Sequence, residues 1–425
     1  MEQKTRKQII DLIHREVVPA IGCTEPVAVA LASAKAAEVL GRLPEKIEVF
    51  LSANVLKNAM GVGVPGTGMV GLPIAIALGV VVGKSAYGLE VLRDVDEASL
   101  KVAQSMISNK IISIAVKEEV DTLYIEVICS SGNESATTII SGQHNKFVRI
   151  EKNQEVLLDE QDKTMSTDCP EEPVLSYSMV YEFAATMPLE EIRFVMESAQ
   201  INKKASEEAM HTDYGHTVGK IITSEAGQKY MGNSPFTRMI ARTAAACDAR
   251  MDGAMIPIMT NSGSGNQGIA ATLPVLSFAE DNGIEEDKLI RALALSHLMV
   301  IYTKQHLGRL SALCGCVVAA TGASCGITYL MGGTKEQIAY AIKNMIGNLT
   351  GMICDGAKPS CALKVSSGVS TAMLSALLAM ENKVVTPVEG IIDEDVDKSI
   401  TNLTDIGSKG MVYTDRLVVD IMTGK

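Results

Sequence analysis

Apolar residues recur at helical spacing over residues 5–17 and 26–40, so each segment predicts a helix. Between them runs Val-Pro-Ala-Ile-Gly-Cys-Thr-Glu-Pro (18–26). Thr24 or Glu25 can cap the second helix, and Pro26 fits a first turn, where no amide donor is needed. Residues 46–52 alternate as a strand does. A glycine-rich loop, Gly61–Gly68, precedes an apolar helix near 70–82, and residues 95–109 again read as helix. Within 111–158 the pattern changes to four short alternating runs, IISIAVKE, LYIEVICS, ATTIISG and KFVRIEK, the pattern of a small antiparallel sheet. Asp159–Pro173 is polar and acidic, as a linker is.

From 176 to 382 the period is almost wholly helical, over 176–186, 189–202, 204–226, 235–251, 266–282, 285–303, 308–330, 335–348 and 360–381. The tail, 383–425, is mixed and more polar. The pattern predicts an α+β chain: a mixed N-terminal domain with a small antiparallel sheet, then a large all-helical domain. The expected units are N-terminal helices over 1–44, an α/β domain over 45–172 and a helical catalytic domain over 173–425.

Composition narrows the function. The net charge of -12 and the absence of Trp argue against a nucleic-acid partner, which needs basic stripes and stacking platforms. The N-terminus is amphipathic and charged throughout, unlike a signal peptide. The longest apolar stretch, Gly68–Gly83, is too short for a membrane span and predicts a buried helix. A cytoplasmic chain with no membrane partner is expected. Its oligomeric state is open, and a homodimer is compatible.

The nine cysteines are an odd count without a secretion signal, which argues against a disulfide framework. Cys354 and Cys361 bound a turn between one helix end and the next helix start, and Cys314 stands in Leu-Cys-Gly-Cys. Such a turn can aim two thiolates at one point, with a third from a neighbouring helix. Three thiolates would hold an iron–sulfur cluster and leave one iron open to substrate. The plainer reading is three small residues buried in a helical core.

The motifs GCTEPVAVALA (22–32), KNAMGVGVPGTG (57–68), SGSGNQGIAATLPV (262–275), LCGCVVAATG (313–322) and GNLTGMICDGAKPSCALKVSSG (347–368) resemble the L-cysteine desulfidase family. That family is similar to the α-subunit of iron–sulfur L-serine dehydratases. The resemblance implies a [4Fe-4S] cluster held by Cys314, Cys354 and Cys361, and β-elimination without pyridoxal phosphate. It also implies an active-site cysteine at Cys23. Cys316 is the alternative to Cys314.

At a helix N-terminus the Cys23 thiol is expected to ionise readily and to serve as general base; the alternatives are a fourth cluster ligand in the resting protein and a plain buried cysteine. The first two helices should then pack on the helical domain, so that Cys23 reaches the cluster. A substrate carboxylate needs donors, and the loop 260–268 before a helix offers an anion-receptive nest. Asn261, Ser262, Gly263 and Ser264 are the expected clamp, with Lys57, Asn58 and Thr67 as secondary contacts.

The expected substrate is a small amino acid: L-cysteine, giving pyruvate, ammonia and hydrogen sulfide, or serine or another β-hydroxy amino acid. A pyridoxal-phosphate lyase would need a Schiff-base lysine, for which Lys304, Lys358 and Lys364 are available. A non-catalytic iron–sulfur sensor would need an output surface, and the sequence offers none.

Overall fold

The computed structural model describes residues 1–160 and 173–424. Most of the expected linker, and Cys169 with it, lies outside the described residues.

The N-terminal part contains helices α1 (Gln3–Glu16), α2 (Thr24–Leu40), α3 (Ala53–Ala59), α4 (Leu72–Val81) and α5 (Glu97–Ser108). Its strands are β1 (Pro19–Ile21), β2 (Lys46–Leu51), β3 (Gly63–Val64), β4 (Met69–Val70), β5 (Ile112–Val116), β6 (Tyr124–Ser131), β7 (Glu134–Ser141), β8 (Phe147–Lys152) and β9 (Glu155–Asp159). The remainder is helical apart from β10 (Pro257–Met259). Its helices are α6 (Tyr177–Thr186), α7 (Leu189–Ile192), α8 (Met196–His211), α9 (Val218–Thr223), α10 (Glu225–Met231), α11 (Pro235–Met251), α12 (Gly265–Asp281), α13 (Glu286–Leu307), α14 (Gly315–Leu330), α15 (Lys335–Leu349), α16 (Cys361–Met380), α17 (Val396–Asp405) and α18 (Val412–Thr423).

The chain is α+β, as the pattern predicts. The sheet has the order β5-β2-β6-β7-β8-β9. It is not wholly antiparallel, because β2 and β5 pair in parallel. Their connection runs through α3, α4 and α5, long enough for the crossover that a parallel pair requires. Ile47, Val49 and Leu51 of β2 and Ile125, Val127 and Cys129 of β6 all turn to the helix-covered face.

The first two helices divide between two cores, which corrects the expectation that both pack on the helical part. Ile9, Leu12 and Ile13 of α1 do enter the helical core. The body of α2, from Val27 to Leu40, is instead sandwiched between α4 and strands β6 and β7. The reason is compositional: α2 is apolar nearly all round, so it needs cover on every side. Cys23, at its N-cap, reaches into the helical core and marks the seam.

Other departures are local. The segment 204–226 breaks after His211, and α13 runs four residues beyond the expected end. The segment 308–314 is loop rather than helix, and the polar tail holds α17 and α18. By length and composition α16 could cross a membrane. Here it packs on α11, α14 and α15.

The α2–α4 contact depends on Gly79. A Cβ there would meet the Ala30 carbonyl oxygen at 2.3 Å, a backbone atom with no room to yield. Gly79→Ala is expected to cost about 1–3 kcal/mol of stability, as overpacking of a closed contact does. Urea denaturation followed by circular dichroism measures it, and an unchanged midpoint would refute the close approach.

Candidate active site

The site is assembled by two small backbone ladders. In the first, β1 pairs antiparallel with β10, so that Pro19 faces Met259 and Ile21 faces Pro257. The GCTEP segment following β1 therefore lies beside the SGSGNQG segment following β10. Further bonds extend the pairing: the Thr260 amide donates to the Val18 carbonyl at 2.8 Å, and Thr24 Oγ1 donates to the Gly263 carbonyl at 3.0 Å. In the second, Leu313 bridges to Ile353. The Cys314 amide donates to the Met352 carbonyl at 3.0 Å, and the Cys354 amide to the Ala312 carbonyl at 2.7 Å. These bonds set Cys314 and Cys354 side by side although forty positions separate them.

The turn from Cys354 to Cys361 is stapled by Asp355, which pairs with Lys358 at 2.5 Å and with Lys364. These two ammonium groups offset the effect of burial and hold the Asp355 carboxyl down at about 2. Gly356 sits at φ +90°, where a Cβ would fall 2.2 Å from the Lys57 carbonyl oxygen. The turn is thereby seated on α3.

One cavity of ≈ 100 Å³ is walled by Cys23, Ser264, Cys314, Cys316, Cys354 and Cys361, together with Glu25, Asn58, Arg250, Asn266, Gln267, Lys304 and Arg309. The thiols expected from sequence thus share one space. Among the described residues, no three His, Cys, Asp or Glu side chains are gathered closely enough to hold a single metal ion. A polynuclear cluster carries each ligand on a different iron, so thiols spread around a cavity suit it where they would not suit one ion. The donor chemistry fits as well: these thiols are free, soft ligands, and all but Cys354 are buried. Hydrogen bonding from Cys316 holds the Cys314 thiol below its ordinary value, and the same bond pushes Cys316 far up. Cys247 and Cys325 are buried in α11 and α14, and Cys129 faces the sheet core.

Cys23 differs from expectation. Burial, followed by the neighbouring Glu25 charge, raises its thiol well above the ordinary range, outweighing the helix N-terminus. Its Sγ donates to Glu25 Oε2 at 3.0 Å. Burial alone would raise Glu25, but the charge of His144 and the Cys23 hydrogen bond keep it below its ordinary value. Asn58 Nδ2 donates to the other Glu25 oxygen at 3.2 Å. The pair is thus a neutral thiol on a carboxylate, and sequence reasoning missed the carboxylate. Its signal was a glutamate one residue before Pro26, in an otherwise apolar helix start.

The expected clamp is only partly in the cavity wall. Ser264 lines it. Asn261 is fully buried and donates to His297 Nδ1 at 3.0 Å, while its Oδ1 accepts from Ser262 Oγ at 2.8 Å. Ser262 and Gly263 both have positive φ, as the centre of a type I′ turn requires. These residues shape the loop rather than face the space. Lys57 pairs with Asp415 of α18, and Thr67 closes the β3–β4 turn by donating to the Val64 carbonyl at 2.7 Å. Of the secondary contacts only Asn58 reaches the cavity.

Other residues in and beside the wall had no sequence motif. His144 comes from the tip of the β7–β8 hairpin and lies against Gly263, with its Nε2 unpartnered. Burial lowers its basicity against the pull of Glu25. Lys304 donates to the Arg309 carbonyl at 2.8 Å, and burial pushes its pKa down to about 8. Lys358 and Lys364, the other Schiff-base candidates, are committed to Asp355.

Residues 86–420 match the serine dehydratase alpha chain family. The chain belongs to that family. It is 70% identical over its full length to the whole of a UPF0597 protein of Parabacteroides distasonis. It is 62% identical, again over the whole of both chains, to one from Bacteroides fragilis. A UPF0597 protein of Oleidesulfovibrio alaskensis is 45% identical over 98% of this chain and 97% of its own length. The family match takes in Cys314, Cys354 and Cys361. The Cys23 and Lys57–Gly68 motifs lie before its start.

The loop 260–264 should carry a pH signature. Burial lowers His297 from 6.5 to about 4, so the folded protein holds it neutral beneath Asn261. Below 6.5 the unfolded chain takes up the proton and the folded one does not. This contribution is therefore complete above pH 6.5 and is lost as pH falls toward 4, with a slope approaching about 1.4 kcal/mol per unit. Urea unfolding between pH 7.5 and 4.5 should show that loss in the native sequence and a flatter profile in His297→Gln. Parallel profiles would refute it.

Proposed function

We infer that this chain is a [4Fe-4S] lyase that eliminates hydrogen sulfide from L-cysteine, giving pyruvate and ammonia without pyridoxal phosphate. The observation that carries the reading is one cavity walled by Cys314, Cys354 and Cys361 together with the Cys23–Glu25 pair. Those three thiols would hold the cluster. When bound, it supplies an iron with an open position that takes up charge from a leaving sulfur.

The rest falls to the chain's own side chains. The Cys23–Glu25 pair carries one proton and one negative charge, so as a unit it can accept the substrate α-proton. Asn58 orients the carboxylate through a hydrogen bond of 3.2 Å. As the α-proton leaves, the Cβ–S bond breaks and the sulfur departs with its electron pair. The resulting aminoacrylate tautomerises, and water releases ammonia and pyruvate.

The family match supports a second reading, elimination of water from L-serine. The motifs of L-cysteine desulfidase type at 22–32 and 57–68, outside that match, favour the sulfur substrate. An exposed iron corner survives best in a reducing compartment, so the reading includes a cytoplasmic location and a small amino acid as partner. It requires neither nucleic acid nor membrane, and a homodimer is compatible with it.

Anaerobic reconstitution followed by a panel of amino acids tests the reading. About four irons per chain are expected, with sulfide and pyruvate formed in equal amounts from L-cysteine. Cluster without turnover of any amino acid would favour a sensor, and turnover confined to L-serine would favour the second reading. Cys354→Ser should lose most of the iron. Cys23→Ala and Glu25→Gln should keep the cluster absorbance and lower kcat by about 10²–10⁴. Full turnover in both would remove the pair from the chemistry.

A further inference from the structure

We propose that Arg250 is the receptor for the substrate α-carboxylate, and that with Asn266 and Gln267 it restricts the site to free, zwitterionic α-amino acids. The proposal rests on the lyase reading of the cavity and names what that cavity recognises.

Arg250 lies on α11, close to its end, and is 3% exposed. Its guanidinium lines the cavity, yet its Nε is buried with no hydrogen-bond partner. Among the described residues it forms no ion pair, Glu25 included. A buried cation left without an acceptor is costly, and native proteins rarely keep one without a use.

The guanidinium lies over the first turn of α12. A Cβ on Gly265 would stand 2.2 Å from Arg250 Nε and 2.8 Å from its Cζ, so the guanidinium packs directly on the glycine backbone. Two positive features, a guanidinium and a helix N-terminus, therefore face one point. Ser264, the N-cap, contributes no side-chain cap to that turn. An anion in the cavity beside both would satisfy the guanidinium and the first-turn amides together.

The same wall carries the opposite requirement a few atoms away. Asn266 Oδ1 and Gln267 Oε1 are buried acceptors that receive no hydrogen bond. A simple anion would leave both unmet. A ligand with carboxylate and ammonium on one carbon meets the guanidinium and both amide oxygens. The chemistry thus specifies an α-amino acid with both termini free, and excludes esters, amides and peptide-linked residues.

The test uses L-alanine, which has the zwitterion but no β-leaving group, titrated calorimetrically into the reconstituted protein under anaerobic conditions. L-Alanine methyl ester and propionate are the comparison probes. L-Alanine should bind, and each comparison probe should bind roughly ten- to a hundredfold more weakly, the usual worth of charge-assisted hydrogen bonds. Arg250→Met should weaken L-alanine by a similar factor and raise KM for L-cysteine accordingly, with a smaller change in kcat. Arg250→Lys, which keeps the charge but not the fork, should fall between.

Equal binding of ester and amino acid, or an unchanged KM in Arg250→Met, would overturn the proposal. If Arg250→Met does not fold, the ester comparison on the native sequence and the Arg250→Lys variant decide. The two readings fail separately. Heat with L-alanine that depends on Arg250, but no sulfide or pyruvate from L-cysteine, would sink the elimination and keep the receptor. Turnover insensitive to Arg250 would do the reverse.

Discussion

Four helix N-termini meet at one cavity. Cys23 is the N-cap of α2, Ser264 of α12 and Cys314 of α14, while Cys361 is the first residue of α16, and all four line the same cavity. Each terminus brings unpaired amides and the positive end of a macrodipole. The concentration of positive ends favours Glu25 as a buried carboxylate.

This convergence could not arise within either half of the chain. The body of α2 belongs to the sheet core, whereas α12, α14 and α16 belong to the helical core. The β1–β10 pairing carries the α2 terminus across the seam, and the Leu313–Ile353 bridge fixes the two cysteine loops. From the far end of the chain, α18 returns to α3, where Asp415 accepts from Asn54 and Lys57. The site sits where two independently packed bodies are tied, so its geometry follows from both.

Within that frame, burial decides the protonation states. A helix N-terminus favours thiolate when the thiol is solvated or paired with a cation. Cys23 is neither: desolvation and an adjacent carboxylate act in the same direction and keep its proton. The negative charge moves to Glu25, which has Asn58 and Cys23 as donors. The acid–base unit is accordingly a pair, and the helix dipole serves the carboxylate within it.

Local pattern was enough for the elements whose period is strong. The helices at 235–251, 335–349 and 361–380, the alternating strands and the α+β order follow from spacing and capping residues alone. The cysteines of 314, 354 and 361 were legible because loop chemistry and motif resemblance mark them. The short ladders β1–β10 and Leu313–Ile353 were not legible, because two or three residues carry no period and their partners lie far apart in the chain. Nor were Glu25, Arg250 and His144, whose significance comes from burial beside one another. Sequence determined which elements form and which side chains could do chemistry. Tertiary packing decided which of them share a cavity and which keep their protons, because desolvation and proximity belong to the folded arrangement and to no local stretch of chain.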